Sequence, residues 1–212
     1  MKKLLFLCTV LAVSVTVFSQ ARFGIKVGLN LANQKVKASF MGESASQSGD
    51  GILSFHIGGV AEIPIAQNFA FRPELLLSGK GTNMDGEDPV SGDPVDAKFR
   101  PIYLELPLNF VYAHELPSGP KLMFGAGPSL AYGVFGKVKG GDQDEDFFQE
   151  GVFKRFDFGI NLLAAVELTS GLTFGVNFTP GLANITEVEV EDIDLKWNNT
   201  VVGFSIGYMF GR

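Results

Sequence analysis

Past the first twenty residues the chain has no cysteine; the single one is Cys8. Nor does any later apolar run approach the roughly 20 residues that a membrane-spanning helix needs. The first absence excludes disulfides and cysteine metal sites from the body of the chain. The second excludes helical membrane spans. Histidine is scarce too, His56 and His114 being the only two, so imidazole-based catalysis has few places to form. Basic residues are outnumbered 17 to 23 by acidic ones, which argues against a nucleic acid partner. Linkers, low-complexity tracts and repeats of 20–50 residues are missing as well, leaving room for one domain. Glycine and phenylalanine are abundant, with 26 and 20 residues.

The N-terminus reads as an export signal. Lys2 and Lys3 precede an apolar stretch from Leu4 to Phe18, and Ser19–Gln20 gives a cleavage point, with Gln20–Ala21 the alternative. Phe6 and Leu7 stand before Cys8, where a lipidated cysteine requires small residues. Residues 1–19 are therefore expected to be a cleaved signal peptide and 20–212 the mature domain. Losing Lys2 and Lys3 takes 17 basic residues to 15 against 23 acidic ones, a net charge of −8.

From Arg22 onward every second residue of a series of short segments is apolar. Strand one, about Arg22 to Leu31, sends Phe23, Ile25, Val27, Leu29 and Leu31 to one face and Gly24, Lys26, Gly28 and Asn30 to the other. Strand two, Ile52 to Ile63, carries Ser54, His56, Gly58, Val60 and Glu62 on its polar face; strand three, Phe69 to Gly81, carries Arg72, Glu74, Ser78 and Lys80. Strand four, Phe99 to Tyr112, turns Tyr103, Glu105 and Asn109 inward. Strands five (Lys121–Phe135), six (Arg155–Leu168, with Asp157, Asn161 and Glu167 inward), seven (Leu172–Asn184) and eight (ending VVGFSIGYMF) complete the series. Three connections are short turns and four are long loops. Period-two alternation with large residues toward lipid and polar or small ones toward a lumen predicts an all-β, eight-stranded antiparallel transmembrane barrel in the outer membrane of a Gram-negative bacterium. Only helices and closed barrels satisfy every backbone group in lipid, and eight strands enclose little more than their own side chains.

The segments RPELLLSGKG (72–81), YLELPLNFVY (103–112), GAGPSL (125–130), RFDFGINLLAAVEL (155–168) and GLANI (181–185) resemble the PorT-like outer-membrane β-barrel family of Bacteroidetes-type bacteria. The resemblance covers nearly all of the mature chain. It implies the barrel fold. Because members have been linked to the secretion of proteases by the type IX system, it also implies an accessory role in protein secretion. A shared fold does not by itself transfer a function.

The inward charges Arg72, Glu74, Lys80, Glu105, Asp157 and Glu167 are the constellation of most interest. Charges in a narrow lumen need partners, so two readings stand side by side: a salt-bridge plug that fixes register, and a gate that conducts when a pair is broken. Arg72–Glu105 is the expected pair, since strands three and four are neighbours. Ser54 and His56, two apart on one face, give the sole candidate nucleophile–base pair, but a lumen-facing site is closed to lipid substrate, so no catalysis is expected. Asp142, Asp144, Glu145 and Asp146, with Glu189, Glu191, Asp192 and Asp194, offer oxygen ligands for weak Ca²⁺ or Mg²⁺ binding. They lack the spacing of an EF-hand loop. Phe69, Tyr112, Tyr132 and Tyr208 read as interfacial girdle residues.

Three functions follow: a structural or interaction barrel, a small gated pore, and a soluble lipid-binding barrel, whose polarity would be the inverse of this one. The expected partners are outer-membrane lipid and lipopolysaccharide, with secretion-machine or envelope proteins. No cofactor is expected.

Overall fold

The computed structural model describes residues 21–40, 43–87, 94–140, 143–148, 153–187 and 194–211. The expected signal peptide (1–19) and the acidic positions Asp142, Glu189, Glu191 and Asp192 lie outside them. So do the side chains of Asp144, Glu145 and Asp194.

Eight long strands carry the wall: β1 (Arg22–Phe40), β3 (Ile52–Ala66), β4 (Phe69–Gly79), β6 (Pro94–Glu115), β7 (Lys121–Gly140), β9 (Phe156–Glu167), β10 (Leu172–Pro180) and β11 (Asp194–Phe210). Each pairs antiparallel with its neighbours in this series, and β1 pairs with β11, so the sheet closes on itself. Closure leaves no edge in the membrane. Three short strands, β2 (Glu43–Ser48), β5 (Thr82–Glu87) and β8 (Gln143–Asp146), pair with the outer parts of β1, β6 and β7. The wall strands therefore run further than the apolar alternation alone indicates. Beyond the apolar belt, β1 and β11 stay paired as far as Ser39 and Asp194, because polar residues hold a ladder as well as apolar ones once lipid no longer selects against them.

One end carries the turns at Gln67–Asn68, Leu116–Pro120 and Leu168–Gly171 together with Arg22 and Gly211; the other carries all the long connections. Short turns on the periplasmic side and long loops outside are the rule for such barrels. Gly171, at φ 90°, makes one of the tight turns, a conformation that costs a β-carbon-bearing residue strain.

The outward phase is apolar and bare: Phe23, Ile25, Val27, Leu29 and Leu31 on β1 and Phe204, Ile206, Tyr208 and Phe210 on β11 are about half exposed. In water this would be a severe liability; in lipid it is the matched surface. The soluble-barrel reading is thereby excluded. Two kinds of irregularity, proline breaks and bulges, interrupt the regular weave. Prolines, which donate no ladder hydrogen bond, stand where the β4–β6 register breaks off at Pro73 opposite Leu108 and where the β6–β7 register breaks off at Pro107 opposite Ser129. On β7 a bulge inserts Val134 between the partners of Ile102 and Tyr103. Val134 and Phe135 both face lipid as a result, and the inward phase shifts to Gly136 and Val138.

Candidate functional site

Among the described residues it is the lumen where the fold concentrates charged and polar chemistry. At its periplasmic end Glu62 lies at the centre of three cations: Arg72 Nη1 at 3.2 Å, Arg22 Nη1 at 3.4 Å and Lys121 Nζ at 3.6 Å. Arg22 also forks onto Glu167. Arg72 Nε stands 3.5 Å from Glu74 Oε1, an ion pair without hydrogen-bond geometry. Lys26 donates to the other oxygen of Glu74 at 2.7 Å. Higher in the bore, Lys80 donates to Asp157 at 3.0 Å and lies 3.7 Å from Glu105. Glu105 accepts from Ser129 and Asp157 from Asn199. Among the described residues the network thus holds five cations and five carboxylates, all of them buried but for the partly exposed Arg22 and Lys121. This near-neutral balance is what a low-dielectric bore demands.

All six sequence-designated residues face this lumen, but not as expected. Arg72 does not pair with Glu105. Strand stagger sets Arg72 opposite Asn109 and Glu105 opposite Leu76, so neighbouring strands hold the two charges at different heights. Arg72 turns to Glu62 and Glu74, and Glu105 to Lys80 and Ser129. Four charges outside the designated set complete the network: Arg22, Lys26, Glu62 and Lys121. The alternation already put Lys26 and Glu62 on the inward face, and that was the available signal for them.

Between the two ion-pair clusters sit neutral polar groups. His56 Nδ1 and Asn30 Oδ1 are 2.7 Å apart, and Asn30 Nδ2 donates to Ser78 and to the Gly79 carbonyl. Across the bore Thr179 donates to Asn161, and Asn161 to Asn109. The space left among Lys26, His56, Glu74, Glu105 and Asn161 is about 10 Å³, about enough for the centre of one water molecule. His56 is held by Asn30, and no hydrogen bond joins it to Ser54 among the described residues. The pair has no catalytic geometry.

A second filling covers the network. Phe147 and Phe148, which directly follow the carboxylates considered above as weak cation ligands, are buried at the extracellular mouth with Phe153, Ile185 and Tyr103. Phe99, Trp197 and Val138 pack against them. Phe147 stacks on Phe153 at 4.3 Å, and Trp197 meets Phe153 edge-on at 4.9 Å. Phe148 fits because Gly133 has no side chain: a β-carbon there would lie 2.1 Å from the Phe148 ring. Tyr103 joins the two fillings, since its ring lies 5.0 Å from Lys80 Nζ and 5.6 Å from the Phe148 ring. The signal for this cap was present in the sequence as an FF doublet within an acidic run, with the only tryptophan on the outer part of β11.

Comparison with known proteins agrees with this architecture. Residues 18–187 match the outer membrane protein β-barrel domain. The chain belongs to that family. It is accordingly an outer-membrane protein of Gram-negative type. Among solved structures it is similar to the outer membrane protein OprG from Pseudomonas aeruginosa, with 14% identity over 91% of this chain and 97% of that one and a TM-score of 0.50. Neisserial surface protein A (15% identity, 89% and 97% covered, TM-score 0.43) and Ail from Yersinia pestis (11%, 87% and 98%, TM-score 0.38) are also similar. At this identity the OprG likeness speaks for the fold alone. No curated protein sequence matches the chain.

Proposed function

We propose that the protein is a non-enzymatic structural and interaction barrel, closed to solute flow, that presents its extracellular strands and its rims to other components of the envelope. The observation that carries this reading is the filling of the bore: a charge-balanced network beneath an aromatic cap, with about 10 Å³ left between polar groups at mid-height. An accessory role in protein secretion of the type IX kind rests on the resemblance to the PorT-like family. Export by a signal peptide at 1–19 belongs to the same reading. Tagged protein purified from native outer membranes in mild detergent tests it. Reproducible co-purification of secretion-machine subunits is expected, and recovery of the barrel alone removes the secretion role.

A small gated pore is the second reading, favoured by one observation. His56 Nε2, Glu74 Oε1 and Asn109 Nδ2 are buried without a hydrogen-bond partner, so polar groups in the bore stand ready to contact a passing ion or water. The variant Lys80→Met, which strands Glu105 and Asp157, separates the two readings in planar bilayers. A closed structural barrel keeps conductance at background, whereas a gate gives discrete openings.

A further inference from the structure

Above the apolar belt the outward face of the wall changes character. β1 and β11 keep an unbroken register from Phe23 opposite Phe210 to Ser39 opposite Asp194, so the residues that continue the lipid-facing phase beyond Leu31 can be read directly. They are Asn33, Lys35 and Lys37 on β1, opposite Thr200, Asn198 and Lys196 on β11. On the other side of β1, Ser48 and Ser46 of β2 stand opposite Lys35 and Lys37. Lys35, Lys37, Lys196, Ser46 and Ser48 are all exposed. The Lys37–Lys196 pair places like charges directly across a ladder, an arrangement that is destabilising by itself, and Lys196 also makes a contact within the chain. Among the described residues, carboxylates flank this part of the sheet at both ends: Glu43 opposite Phe40 and Asp194 opposite Ser39 at the distal end, and exposed Asp50, joined with Asn33 through the Thr82 hydroxyl, at the proximal end.

The arrangement recurs on the opposite wall. After the β7 bulge Arg100 stands opposite Lys137, two positions above Ile102 and Phe135 on the same outward phase, and both are exposed. There Asp146 of β8 lies opposite Lys137 on the far side, and Lys137, like Lys196, also makes a contact within the chain. The outward phase of the periplasmic rim carries aromatic rings instead: Phe23, Phe69, Tyr112, Tyr208 and Phe210. In a chain of net acidic charge, cations are thus set on the lipid-facing wall at the outer end of the belt.

Height decides which anion meets them. Lys35 lies four residues beyond Leu31, about 13 Å along a strand, or roughly 10 Å of height at the usual tilt. That is the level of headgroups and not of bulk solvent. The same two strands form part of an apolar groove of about 690 Å³ below, where Val27, Leu29, Phe204 and Ile206 face Val176 and Ala164. Cations and hydroxyls over an apolar groove match an amphiphile with phosphates above and acyl chains beneath.

We propose that the β11–β1–β2 wall, through Lys35, Lys37 and Lys196 with Ser46 and Ser48, binds the phosphorylated headgroup of an outer-leaflet glycolipid whose acyl chains lie on the apolar wall below. Ammonium groups interleaved with hydroxyls are suited to phosphate oxygens. The test uses the full mature chain in detergent micelles, titrated with bis-phosphorylated lipid A, with lipid A stripped of phosphate and with inorganic phosphate, and read by native mass spectrometry. The expected result is that K35E/K37E binds the bis-phosphorylated form at least tenfold more weakly and K35Q/K37Q severalfold more weakly. Both should hold the stripped form as the unaltered chain does, and inorganic phosphate should not compete at equal concentration. Heat-modifiable gel migration reports that each variant is folded; if K35E/K37E is not, K35Q/K37Q decides. Equal affinity of folded variants for the bis-phosphorylated form overturns the proposal. Displacement by inorganic phosphate also overturns it, because the site would then be one for free anions.

Discussion

Below Tyr103 the bore is filled by charges that stand on the wall strands; above it the filling is aromatic and is carried in large part by the connections. The two fillings exclude solute equally well, but they constrain the molecule differently. Each lumen charge is tied to strand register. A slip of one residue would turn Lys26, Arg72 or Asp157 into lipid and bring a large apolar side chain inward. The network is therefore a strong selector of pairing, even though a buried ion pair adds little net stability over an apolar equivalent. The cap works by dispersion and ring contact, which tolerate small displacements. Phe147, Phe148 and Phe153 reach it from outside the eight wall strands, so they can leave without unzipping the barrel.

The largest effect is expected from Glu62→Ala, which takes a shared carboxylate from Arg22, Arg72 and Lys121 at once and leaves five cations facing four carboxylates. A loss of about 3–5 kcal/mol is anticipated for breaking a buried pair in this way, read from urea unfolding in micelles. A loss below about 1 kcal/mol would mean that solvent reaches the periplasmic cluster, and the contrast between the fillings would narrow. Next comes Phe147→Ala, at about 3 kcal/mol. Its cost should appear as faster amide hydrogen exchange in the outer loops with the exchange of β1, β9 and β11 unchanged. Global destabilisation would instead make the cap part of the wall's own cooperative unit. The smallest is Gly133→Ala, at about 1–3 kcal/mol for overpacking. Its new β-carbon meets the Phe148 ring, and limited proteolysis at the extracellular end should accelerate. Conductance should stay at background in both cap variants, because the charged filling persists beneath.

Much of the wall was legible because lipid enforces alternation. Leu29 and Phe204 announce their face by size, and Arg72, Glu105 and Asp157 announce theirs by charge. Which charges meet was not legible. Lys26 on β1 reaches Glu74 on β4, past β3, and Lys80 reaches Asp157 across the bore. Such contacts depend on stagger and on the small diameter, neither of which period-two spacing encodes. Arg72 and Glu105 were matched by strand adjacency alone, and the stagger set them apart. The cap was obscured for a different reason. Phe147 and Phe148 follow Asp144, Glu145 and Asp146, and average polarity hides two aromatic rings that the chain turns inward. The continuation of β1 to Phe40 and β11 back to Asp194 escaped notice because polar pairing outside the bilayer leaves no apolar rhythm.

One further contact joins residues at the two extremes of the described chain. Arg22 Nε donates to the Gly211 carbonyl beside the β1–β11 ladder, while the same guanidinium holds Glu62 and Glu167. The seam where the sheet meets itself is thus stitched by the side chain that also anchors the periplasmic cluster. In circular terms, β1 and β11 are neighbours like any other two strands. A permuted chain with Gly211 linked to Arg22 and new ends opened at Gln67–Asn68 would keep every wall pairing, and would move the last step of closure from β1–β11 to β3–β4.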